Sequence, residues 1–105
     1  MNSRGPIRVV IDPDLKAIVP GFLENMRRDC ARLLVVLTAG DMEQLAMMGH
    51  NLKGVGGGYG FDAISEMGRA IEAAAKSGDK TVIASKAAEL EDYLARVEPV
   101  IGPLS

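Results

Sequence analysis

The chain has 105 residues, with 48% hydrophobic content, only 4% aromatics, no Trp and a formal charge of −2 at pH 7. That length suits a single domain, residues 1–105, around one core. Its mixture of Leu, Ile, Val, Met and Ala favours helix packing over a β-sandwich. The acidic balance excludes a global positive field for nucleic acid, and no run approaches the roughly 18 apolar residues that a membrane span needs.

Arg27 and Arg28 read as a solvated helix face rather than a basic patch. The lone cysteine, Cys30, excludes an intramolecular disulfide and a Cys-built zinc site, and its place in an apolar rhythm reads as buried packing. Residues 1–10 lack the apolar core of a secretory signal. The expected setting is a reduced cytoplasm, and 105 residues starting at Met give the expectation of a free-standing unit.

In chain order, residues 1–12 read as a loose entry segment. Arg8 to Ile11 has strand character but no second good strand to pair with. Asp12-Pro13 is a helix-start signal, predicting a short helix to about Val19 that Pro20-Gly21 bends or restarts. Leu23, Met26, Cys30, Leu33, Leu34 and Leu37 then recur at steps of three and four, the mark of an amphipathic helix. Gly40 fits its C-terminal stop and Asp41 the cap of the next helix, which runs to about Tyr59 before Gly60.

Asp62 is the expected cap of a third long helix. Its apolar stripe is Ile64, Met67, Gly68, Ile71, Ala74 and Ala75, with Glu66, Arg69, Glu72 and Lys76 outside. Ser77-Gly78-Asp79 repeats the stop-and-cap arrangement. A last helix carries Ile83, Ala87, Leu90, Leu94 and Val97 and halts before Pro99, leaving residues 100–105 as a loose tail. The fold class is therefore all-α, an antiparallel up-down four-helix bundle with one short extra N-terminal helix.

The second long helix carries the only histidine, His50. Stepping about 100° per residue places Leu45, Met48, Leu52, Val55 and Tyr59 on the core side and His50 roughly opposite. Ala46, Met47, Lys53 and Gly54 surround it one turn away, with Gly57 two turns on. Gly49, Gly54, Gly56 and Gly57 within one helix cost roughly 2–4 kcal/mol relative to alanine. Something should compensate. Gly49 and Gly56 can admit a neighbouring helix, while Gly54 and Gly57 leave the imidazole unobstructed. The glycines match neither nucleotide-loop pattern and follow a helix rather than a strand.

No nucleophile–base pattern accompanies His50, and a second histidine for a di-metal bundle is missing. What remains is a ring that itself accepts a group. An exposed imidazole is a good nucleophile when neutral, and Lys53 at i+3 can offset charge on a phosphoryl group attached to it. No carboxylate occupies the i±3 or i±4 positions; Glu43 lies two turns away. Met47, exposed and flexible, suits a contact rim for varied partners.

His50-Asn51-Leu52-Lys53-Gly54, then Gly60, Ile64 and Ile71-Glu72, resembles the signature of histidine-containing phosphotransfer (HPt) domains. That signature runs H-x-L-K-G, five variable residues, G, three more, an aliphatic residue, six more, then aliphatic-Glu. The resemblance implies a phosphorelay carrier rather than an enzyme, without its own kinase domain. His50 would take a phosphoryl group from a receiver aspartyl phosphate and pass it to another receiver aspartate. Lys53 would stabilise the phosphate, and Glu43, Ala46, Met47, Gly54 and Gly57 would form the docking face. Implied partners are response-regulator receiver domains and a hybrid histidine kinase, with no nucleic acid and no membrane, the protein itself being a monomer. No cofactor or metal is expected on this chain; Mg²⁺ is expected on the receiver. The alternatives are a receiver-binding helical module that is never phosphorylated, and a plain bundle acting in assembly.

Overall fold

A computed structural model describes residues 5–102. Its elements in order are strand β1 (Ile7–Ile11), a 3-10 turn (Pro13–Leu15), helices α1 (Val19–Ala39) and α2 (Met42–Gly56), a second 3-10 turn (Gly57–Tyr59), helices α3 (Asp62–Ser77) and α4 (Lys80–Arg96), and strand β2 (Val97–Ile101). The four-helix bundle is present as expected. Its interior holds Leu23, Met26, Cys30 and Leu33 of α1, Leu45 and Leu52 of α2, Ile64 and Ile71 of α3, and Ile83, Ala87 and Leu90 of α4. Burial pushes the Cys30 thiol pKa up. Among the described residues no helix is long and apolar enough to cross a membrane.

The helix ends follow local chemistry. Gly40 and Gly78 adopt φ of 75° and 74°, left-handed conformations that close helices without a Cβ penalty. Asp41 and Asp79 then accept bonds from the amides of Gln44 at 3.0 Å and Val82 at 3.1 Å, satisfying donors that a helix start leaves open.

Apart from the chain ends, four boundaries differ from expectation, and the first is α2, which ends at Gly56, with Gly57–Tyr59 a 3-10 turn rather than the last turn of a helix to Tyr59. The segment after Asp12 is one 3-10 turn, with Asp12 accepting from the Asp14 amide at 2.8 Å, not a helix to Val19. α1 starts at Val19, so Pro20 falls in its first turn, where the missing amide hydrogen breaks no helical bond. Phe61 rather than Asp62 occupies the cap of α3. Phe61 is wholly buried and its ring centroid lies 5.3 Å from that of Phe22. Packing of this ring, not a side-chain hydrogen bond, sets where α3 begins.

The largest correction concerns the chain ends. Residues 7–11 are not loose and do have a partner: β1 pairs in parallel with β2, in register from Ile7 opposite Val97 to Ile11 opposite Ile101. α4 accordingly stops at Arg96 instead of running up to Pro99. The Gly102 amide donates to the Ile11 carbonyl at 3.1 Å. Amide directions alternate along a strand, so Glu98 and Val100 also point toward β1 while position 99 points away. Pro99 therefore removes no ladder bond, and an edge strand tolerates proline at such a position. Expectations for residues 1–4 and 103–105 lie outside the described residues.

Candidate functional site

α2 and α3 approach until backbone meets backbone. A methyl group at Gly49 would sit 2.5 Å from the Glu72 amide nitrogen and 2.8 Å from the Gly68 carbonyl oxygen. One at Gly56 would sit 2.6 Å from the Ser65 amide nitrogen, and one at Gly68 would sit 2.5 Å from that of Lys53. These distances are below any tolerable contact, so Gly49 and Gly56 do admit the neighbouring helix, and Gly68 meets them from the other side. Part of the propensity lost at these glycines returns as close interhelical packing.

That close approach brings the α3 carboxylate of Glu72 onto the face of α2 that carries His50 and Lys53. Glu72 Oε2 lies 3.1 Å from His50 Nδ1, and Lys53 Nζ donates to Oε1 at 2.8 Å. Lys76 Nζ reaches Oε2 at 3.3 Å. The Glu72 side chain is 12% exposed, whereas that of His50 is 64% exposed. Position 72 was expected outside the apolar stripe. It lies one residue past Ile71 and one turn past Gly68, at the margin of the stripe, and the glycine contact draws α2 over it. The absence of carboxylates at i±3 and i±4 of His50 therefore did not keep acid away from the ring; tertiary contact supplied one.

The Lys53 hydrogen bond, opposed by desolvation and reinforced by Lys76, holds the Glu72 carboxyl at about 2 rather than 4.5. At neutral pH Glu72 is ionised and can only accept hydrogen bonds. Nδ1 therefore carries the ring proton when the imidazole is neutral, and Nε2 keeps a lone pair. Among the described residues the ring's one hydrogen bond is that at Nδ1.

A carboxyl pKa lowered by folding stabilises the native state fully above its unfolded value. That contribution is lost as pH falls from about 4.5 through about 2. The expected result is a urea midpoint that drops across this window in wild type and drops less in Glu72→Gln. Carboxyl carbon NMR should place the Glu72 midpoint near 2; a midpoint near 4.5 would contradict the pairing.

The remaining residues of the expected site divide into two groups. Glu43, Ala46 and Met47 join His50 along a mostly apolar groove of about 520 Å³, completed by Met42 and Asn51 of α2 and by Glu72, Ala75 and Lys76 of α3. Met47 is 63% exposed there. Gly54 faces open space, with nothing within 4 Å of where a Cβ would stand. Gly57 lies beyond the end of α2 and is not part of the groove; its amide donates to Ser65 Oγ at 2.7 Å, and that hydroxyl donates to the Lys53 carbonyl at 2.9 Å.

Sequence reasoning gave no site role to Glu72, Lys76 or Ser65. A signal for Glu72 was present, since the signature that starts at His50 ends on Ile71-Glu72. Ser65 and Lys76 carried none.

No curated protein and no solved structure matches the chain. A family model described as Hpt domain matches residues 18–99, a span that runs from the start of α1 into β2 and contains His50, Lys53 and Glu72. The chain thus belongs to the Hpt domain family, the histidine phosphotransfer modules of phosphorelays.

Proposed function

We propose that His50 is the phosphoacceptor, and that Nε2 is the atom that takes the phosphoryl group from a receiver aspartyl phosphate and yields it to another receiver. The observation that carries this reading is the ionised Glu72 on Nδ1, which leaves a nucleophilic nitrogen on a mostly exposed ring beside an apolar groove. As the Nε2–P bond forms, the P–O bond of the acyl phosphate breaks and the receiver carboxylate leaves with the electron pair. The ring keeps its proton on Nδ1, where the positive charge that develops meets Glu72.

Phosphoryl transfer depends on alignment and charge neutralisation rather than on covalent help from the protein. A Mg²⁺ ion on the receiver supplies part of that neutralisation, and Lys53 adds to it from this chain. Met47 and Ala46 offer apolar surface for the receiver, Glu43 a charge at its edge, and Gly54 room for close approach. The chain acts as a carrier and has no kinase activity of its own.

The test is incubation of the wild-type protein with a phosphorylated receiver and Mg²⁺, followed by peptide mapping. Label that is acid-labile, alkali-stable and confined to the peptide containing His50 is the expected result. Label on another residue would overturn the assignment. Tight receiver binding without any label would instead favour the docking module that is never phosphorylated.

A further inference from the structure

Among the described residues β1 and β2 make a parallel sheet of two strands. Parallel strands are ordinarily covered on both faces and continued at their edges. Here the bundle covers one face, where Ile11 is buried and Ile7 and Val9 pack against the core. Arg8, Val10, Glu98 and Val100 lie on the other face, Val10 with 71% of its surface exposed.

The two outer edges of this sheet are not alike. The Ile11 carbonyl accepts from Gly102, and backbone directions alternate along β1 as they do along β2. Ile7, Val9 and Ile11 therefore bond to β2, while the amides and carbonyls of Arg8 and Val10 point to the outer edge. No described residue bonds them there. On β2 the outward position is Pro99, which has no amide to offer. Proline is one of the devices that keep an exposed edge from pairing, and β1 carries none. The turn at Gly60 stands beside the Val10 carbonyl without a side chain to cover it; even a Cβ there would lie 4.0 Å away.

The occupant that fits this edge is a second β1 running antiparallel to the first. With Val10 at the centre, the two Val10 residues exchange both backbone bonds. Arg8 of each chain then comes opposite Asp12 of the other, whose amide also points outward. Opposite charges directly across two strands attract and like charges repel. Centring on Arg8 would instead set two arginines face to face, and centring on Val9 would set Arg8 against a valine. Both charges are available. The one ion pair of Arg8 among the described residues is with Glu98, at 3.9 Å between mostly exposed side chains. Asp12 is exposed and gives one carboxylate oxygen to the Asp14 amide.

We propose that the protein pairs with a second copy of itself through antiparallel β1 edges, forming a four-stranded sheet with Val10 on the two-fold axis, in place of the monomer expected from the sequence. β1 is five residues long, so the contact is smaller than a standard interface and the dimer is weak and in rapid exchange. Neither strand lines the groove beside His50, so the pairing does not use the receiver face.

Sedimentation equilibrium of the whole protein, up to about 1 mM so that weak contacts register, should show a reversible monomer–dimer equilibrium. Val10→Pro removes the two central bonds and leaves the bonds to β2 intact, so it should weaken the dimer about tenfold or more. Added salt should weaken the wild-type dimer through the Arg8–Asp12 pairs. Arg8→Gln should weaken it and flatten that salt dependence, whereas Glu98→Gln, which removes only the pair within one chain, should do neither. A wild-type protein that stays monomeric throughout would overturn the proposal. So would a dimer equally strong in Val10→Pro, or one that Arg8→Gln and Glu98→Gln affect alike.

Discussion

His50→Gln is expected to accept no phosphoryl group from any receiver while keeping the bundle intact. The His50 side chain is 64% exposed and its ring makes one hydrogen bond among the described residues, to a carboxylate that Lys53 and Lys76 also hold. Removing the ring therefore leaves no buried charge without a partner. The change in stability should stay within about 1 kcal/mol, the range for surface substitutions and exposed pairs. Glutamine retains polarity and reach but offers an amide nitrogen with no available lone pair, so the transfer step should disappear altogether rather than slow. Autoradiography after incubation with phosphorylated receiver measures the first part, and a urea midpoint measures the second. Label persisting on the variant would remove His50 from the mechanism. A collapse in stability would mean that the ring belongs to the core.

The second large effect is expected at Gly68, with Gly54 as its opposite. Both are helical glycines that alanine would improve by about 0.5–1 kcal/mol on propensity alone. At Gly68 the added methyl would meet the Lys53 amide nitrogen at 2.5 Å, the Gly49 carbonyl oxygen at 2.7 Å and the Leu52 Cβ at 2.7 Å. Two of those atoms are backbone, which cannot rotate away, so α2 and α3 must separate. Overpacking of this kind costs about 1–3 kcal/mol, and Gly68→Ala should be destabilised by roughly that amount. The same shift should loosen the Glu72 contacts to His50 and Lys53, because Glu72 stands one turn beyond Gly68. Gly54 meets nothing within 4 Å, so Gly54→Ala should gain stability. It should also slow transfer from a receiver if this position is part of the docking face. Urea denaturation of the pair checks the signs; a stabilised Gly68→Ala would mean that the helices are not in the close contact described.

The helices and most of their stops were legible because they are local. Recurrence at three and four residues marked the stripes through Leu23, Met26 and Cys30 and through Ile64, Met67 and Ile71. Gly40-Asp41 and Gly78-Asp79 carried both a left-handed stop and a cap within two adjacent residues. The outward face of His50 followed from the same periodicity.

The rest was fixed by contacts between residues far apart in the chain. The strand character of Arg8 to Ile11 was legible but its partner was not, because Pro99 argues against a strand at β2 until its outward position in the ladder is known. The start of α3 at Asp62 depends on Phe61 sinking beside Phe22, which no capping rule anticipates. Glu72 was legible only as the last letter of a signature. Its physical role required α3 to press against α2 at Gly49, Gly56 and Gly68, because a carboxylate at the margin of a stripe is solvated or buried according to how closely the neighbouring helix comes. Local periodicity determined which nitrogen-bearing ring faces outward; tertiary packing decided which of its two nitrogens is free.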